Sequence, residues 1–111
     1  MAKLFLEKLK CVKKTSDPGK NDEVYMNLET DGLKGRIPEK GEWEMSDGDI
    51  REILREYSFL RDFFVGVFEN DGIGDDTIGE QTFQVNIQPP GSPLIMTGED
   101  GKYELSFRYT A

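Results

Sequence analysis

The chain reads as an all-β protein, an antiparallel β-sandwich of about seven or eight short strands with one short helix near residues 47–57. Two observations carry that reading. Short segments rich in β-branched and aromatic residues recur along the chain, several of them alternating with polar ones, and clusters of Gly, Pro, Asn, Asp or Ser that favour turns separate them. The 111 residues are enough for a single core and too few for two ordinary ones, so residues 1–111 form one domain.

Leu4 to Val12 sets Leu, Phe, Cys and Val among lysines, as a first strand does. Thr15-Ser16-Asp17-Pro18-Gly19-Lys20-Asn21-Asp22 then combines a Pro-Gly pair with side chains that bond their own backbone, which turns the chain. Val24 to Leu28 is a second strand, and Gly32, Gly35 and Gly41 punctuate a connection leading to Trp43. From Ser46 to Tyr57 the period changes. Ile50, Ile53, Leu54 and Tyr57 stand at helical spacing behind Ser46 and Asp49, which are placed as a capping box, and this predicts the helix. An all-strand domain would instead run the same stretch as a middle strand, with tertiary context overriding so short a pattern. Phe63 to Phe68 and Thr82 to Ile87 are strands, the second alternating Phe83, Val85 and Ile87 with Gln84, Asn86 and Gln88. Pro89-Pro90-Gly91-Ser92-Pro93 is irregular because proline donates no ladder hydrogen bond, and Tyr103 to Tyr109 alternates as a terminal strand.

Between two of these strands lies Glu69-Asn70-Asp71-Gly72-Ile73-Gly74-Asp75-Asp76-Thr77-Ile78-Gly79-Glu80, with five carboxylates and three glycines in twelve residues. Carboxylate oxygens are the hard ligands that calcium prefers, and glycines allow the tight folding that aims several of them at one point. Without a counter-charge these acids repel one another, so Glu69, Asp71, Asp75 and Asp76 are candidate metal ligands. Two other readings stand beside this one. Glu69 to Glu80 has nearly the spacing of a helix–loop–helix calcium hand, but Ile73 occupies a ligand position and both flanks read as strands. The acids of an ordinary hairpin would simply face water.

Net charge is −8, and its distribution excludes several functions. Residues 1–20 hold six lysines and two acids, a balance of +4 that leaves −12 for residues 21–111. From Asp62 to Asp100 there are eight acids and no Lys or Arg, a surface that repels nucleic acid. Lys8, Lys10, Lys13 and Lys14 read as solvated side chains guarding an edge strand. There is no His, so a serine or cysteine nucleophile lacks its usual partner and zinc its commonest nitrogen ligand; the chain is expected not to be an enzyme. Cys11 has no second cysteine to pair with and is expected to be a small buried apolar group. No apolar run approaches the roughly 20 residues of a membrane-spanning helix. Charges interrupt the apolar stretch at Met1 to Lys8 before a signal-peptide core forms, so the expected location is cytoplasmic, with a secreted chain that has lost its signal as the alternative.

These segments resemble the C2 domain, the calcium-dependent phospholipid-binding module. The resemblance rests on the order of a first strand, Asn21-Asp22-Glu23-Val24-Tyr25, a strand ending in Phe68, the acidic loop through Asp75-Asp76-Thr77-Ile78-Gly79, and Gly101-Lys102-Tyr103 opening the last strand. It implies an eight-stranded sandwich with carboxylates presented by loops at one end. Asp17 and Asp22 would then match acids of the first loop, and Glu69, Asp71 and Asp76 those of the third. The chain departs from the family pattern at Glu69, where Asp is usual, and in lacking the proline of Ser-Asp-Pro-Tyr and the Asn-Pro-x-Trp-Asn segment.

The expected function is a calcium-binding module that docks to an anionic phospholipid membrane or a protein partner through acidic loops at one end. Its expected metal ligands are Asp17, Asp22, Glu69, Asp71, Asp75 and Asp76. The alternative is a structural or interaction domain, lectin-like or for assembly, in which calcium serves only the fold.

Overall fold

The structure is a computed structural model that describes residues 1–16 and 19–111. Among the described residues the chain runs through β1 (Ala2–Lys13), β2 (Asp22–Thr30), β3 (Leu33–Ile37), β4 (Trp43–Met45), β5 (Ile50–Phe59), β6 (Asp62–Asn70), β7 (Asp75–Gln84), β8 (Leu94–Met96), a 3-10 turn at Gly98–Asp100 and β9 (Lys102–Thr110). One sheet has the order β5-β1-β9-β8. The other has the order β3-β2-β6-β7, with β4 also paired to β2. Every pairing is antiparallel. The sheets form a β-sandwich, as the alternating pattern requires, because each needs a partner to cover its apolar face.

The core lies between the sheets. Leu4, Leu6, Leu9, Leu105 and Phe59 from one meet Val24, Met26, Phe63, Val65 and Phe83 from the other, all of them buried. In β1 the buried positions move from Leu4 and Leu6 to Leu9 and Cys11, and the shift falls at a bulge between Leu6 and Lys8. Cys11 is buried, as expected.

The helix expected near 47–57 is not formed; Ile50–Phe59 is strand β5, paired along β1. A bulge explains the misleading spacing. Leu6 and Lys8 of β1 pair with Arg55 and Glu52, so Ile53 and Leu54 together face Glu7, and Leu54 takes a left-handed φ of 53°. Ile53 turns inward while Leu54 stays exposed. The Ser46–Asp49 pair caps a turn: Ser46 N donates to Asp49 Oδ2 at 2.9 Å and Asp49 N to the Ser46 carbonyl at 3.0 Å. β1 is not an edge strand either, since it lies between β5 and β9, and its lysines occur on an interior strand.

Candidate functional site

Antiparallel pairing brings residues 14–16, 19–21, 46–49, 71–74 and 97–101 to one end of the sandwich. The acidic stretch lies there, but less of it is loop than the sequence suggests. Asp75 already belongs to β7 and pairs with Asn70, while Asp76 pairs with Glu69, so the hairpin loop is only residues 71–74. The strand expected over Thr82–Ile87 is correspondingly displaced, since β7 ends at Gln84. Thr77 and Ile78 favour the pleated conformation, and Gly72, at a φ of 87°, makes the tight turn that lets the strand begin early. Strands on both sides leave no place for a helix–loop–helix hand.

Asp71 organises the turn. Its Oδ1 accepts the amide hydrogens of Ile73 at 3.0 Å and Gly74 at 2.9 Å, and its own amide donates to the Gly74 carbonyl at 3.2 Å. The bonds from Gly74 and Ile73 hold the Asp71 carboxyl below the ordinary carboxylate range. Asp76 is shifted the other way, first by desolvation and then by the negative charges of Asp71, Glu99 and Asp75. The two carboxyls also share a hydrogen bond, so one keeps its proton more readily at the other's expense.

The remaining candidates are placed differently. Asp75 accepts a hydrogen bond from the Tyr25 hydroxyl, and desolvation followed by that bond pushes Tyr25 up to about 12. Glu69 is buried at the rim of a polar hollow of about 560 Å³ that Asn21, Glu23, Glu44 and Asp71 also line. Asp22 is completely buried. Its Oδ2 accepts from Thr15 N at 2.9 Å and the Tyr103 hydroxyl at 2.5 Å, and its Oδ1 from Thr15 Oγ1 at 2.7 Å. Both oxygens are therefore committed to tying β2 to the end of β1 and to β9. Asp17 lies outside the described residues.

Glu99 was not among the sequence candidates. It reaches Asp76 because the 3-10 turn packs backbone to backbone on β7: a Cβ on Gly98 would lie 2.3 Å from the Thr77 carbonyl oxygen. No local spacing reveals this proximity. The signal available was Gly98 itself, before two acids.

Among the described residues no three acidic, His or Cys side chains converge as a metal-holding group. Of the expected ligands, the described Asp22, Glu69, Asp71, Asp75 and Asp76 form no such group, and Asp22 is engaged in internal hydrogen bonds. What the described residues do bring together is the Asp71–Asp76 pair, two carboxylates whose mutual repulsion a positive charge would relieve.

No protein-family model matches the chain, and no curated sequence does. Similarity appears in three dimensions. A solved C2 domain superposes with a TM-score of 0.58 at 15% identity, covering 99% of this chain and 97% of the other. The human GIVD cytosolic phospholipase A2 superposes at 0.60 and 13% identity over 97% of this chain, which spans only 15% of the enzyme's length. Two antiparallel sheets, hairpin acids at one end and near-complete superposition on an isolated C2 domain together define the architecture: the chain has the C2 fold.

Proposed function

We propose that this chain is a non-catalytic C2-type module that docks to a membrane or protein partner through the end bearing residues 71–74 and 97–101. The observation that carries this reading is the composition of that tip. Ile73 is 100% exposed in the hairpin loop, its amide donating to Asp71, whose carboxyl is hydrogen-bonded to that of Asp76, while Asp76 in turn feels the charge of Glu99. An exposed apolar side chain suits insertion into an interface, whereas the surrounding acids repel anionic headgroups. Calcium is the proposed cofactor, held by Asp71 and Asp76; when bound it would supply the positive charge that makes the tip compatible with an anionic surface. Asp75 is exposed beside that pair and belongs to the proposed acidic surface, whereas Glu69 is buried and Asp22 maintains the scaffold.

Sedimentation with vesicles of phosphatidylserine and phosphatidylcholine tests the membrane reading. The protein should pellet with calcium and stay in the supernatant with chelator, and Asp71→Asn with Asp76→Asn should abolish calcium-dependent pelleting. Calcium-induced stabilisation without pelleting would favour the alternative, a structural or interaction domain in which calcium serves only the fold, and equal behaviour with calcium and chelator would remove calcium from the proposal.

A further inference from the structure

Away from the acidic tip, a groove of about 470 Å³ opens between the free edges of the two sheets, where β3 borders one and β5 the other. Its floor is apolar: Leu28, Ile37 and Phe63 are buried there and Tyr57 is half-buried. Gly35 leaves it open. The Gly35 position faces Leu28 across the β2–β3 ladder, and a Cβ added to it would meet only the Leu28 side chain, at 3.9 Å.

The rim has the opposite charge to the molecule as a whole. Lys34 and Arg55 are exposed and line the groove, with Glu39 as the acid among the lining residues. Among the described residues neither Lys34 nor Arg55 makes an ion pair, in contrast to Arg36, whose guanidinium is held by Glu42 and the Pro38 and Gly41 carbonyls. In a chain of net charge −8, two uncommitted cations beside an apolar floor form a local reversal of sign. The volume falls in the roughly 300–1,000 Å³ range of small-molecule sites.

We propose that this groove binds an amphipathic monocarboxylate, with its apolar tail on the floor and its carboxylate at Arg55 and Lys34. The charge balance selects a single negative charge: Lys34, Arg36 and Arg55 line the groove with Glu39, and because Arg36 is already paired with Glu42 a local excess of one positive charge remains, while a polyanionic ligand or a second copy of the chain would meet the repulsion of the whole molecule. The site is separate from the docking tip and does not depend on it.

Isothermal titration of the full chain with decanoate below its micellar concentration tests the proposal, with decanol and decyltrimethylammonium as matched tails. Decanoate should bind saturably with one site per chain, decanol more weakly, and decyltrimethylammonium least. Gly35→Leu should fill the groove and abolish uptake with an unchanged melting temperature. The exposed variant Arg55→Gln, which leaves the floor intact, should weaken decanoate about tenfold, the effect of losing one hydrogen bond to a charged group, and leave decanol unaffected. Absence of saturable decanoate binding to the wild type overturns the proposal. So does equal uptake of the cationic tail, wild-type binding by Arg55→Gln, or a mass in sedimentation showing that a second copy occupies the groove.

Discussion

Asp22 and Asp76 are both acids placed near one end of the same sandwich, and their surroundings give them different work. Asp22 receives three hydrogen bonds in a site without solvent, from Thr15 twice and from Tyr103 once. Burial, and then the bond to Asp22, raises the ionisation of Tyr103 far above the ordinary range, so it remains a neutral donor. Tyr103→Phe should therefore destabilise the protein by about 1.5–3 kcal/mol, the range for a hydrogen bond to a charged group, read as a lower urea midpoint at unchanged slope. Asp76 instead suffers desolvation and neighbouring negative charge. Because its folded pKa is raised, its ionisation opposes folding, and stability is gained as pH falls through the carboxylate range. Asp76→Asn should raise the melting temperature at pH 7 in chelator, with the gain fading toward pH 4. Asp71 carries the opposite sign: its lowered pKa contributes stability present at neutral pH and lost under acid. Equal melting shifts of the Asp76 variant at both pH values would contradict the repulsion described here.

At the scale of elements, local pattern and tertiary pairing agree over most of the chain and part company where a bulge intervenes. Apolar and aromatic richness between turn signals made β1, β2 and β6 legible, and alternation made β9 so. The short strands β3, β4 and β8 were hidden by glycine, proline and length; they gain order by pairing with longer neighbours. β5 looked helical because its bulge displaces Leu54 from the strand period. The acidic hairpin was legible as a place but not as a constellation. Asp71 and Asp76 are close in sequence, whereas the fate of Asp22 depends on Tyr103, 81 residues away. Leu54 also makes the bulge testable. A non-glycine residue in the left-handed region costs about 1–2 kcal/mol, Asn tolerates it better, and Leu54 is 60% exposed, so little apolar burial is lost on replacement. Leu54→Asn should stabilise the protein by about 0.5–1 kcal/mol in urea denaturation, whereas in a regular strand the same change would destabilise it.

For the whole molecule, the question is whether its excess negative charge acts as a diffuse field or through the tip. A net charge of −8 opposes compaction everywhere, and that contribution is screened by any salt, with a Debye length of about 8 Å at physiological ionic strength. The Asp71–Asp76 contact is local, and monovalent salt relieves it only incompletely. The two cases separate when melting is measured in calcium chloride and in sodium chloride at matched ionic strength. If a cation is held at the tip, calcium should exceed sodium by an amount that grows with concentration, about 2.7 kcal/mol once free calcium reaches a hundred times its dissociation constant. For a domain of this size each kcal/mol corresponds to about 4–8 °C, so the difference is readily resolved. Asp71→Asn with Asp76→Asn should erase the calcium excess and preserve the sodium response, because it removes the paired carboxylates and leaves most of the remaining charge in place. Coincident calcium and sodium curves for the wild type would mean that charge acts only as a diffuse field, and docking at this end would then have to proceed through Ile73 and its neighbours without a cation.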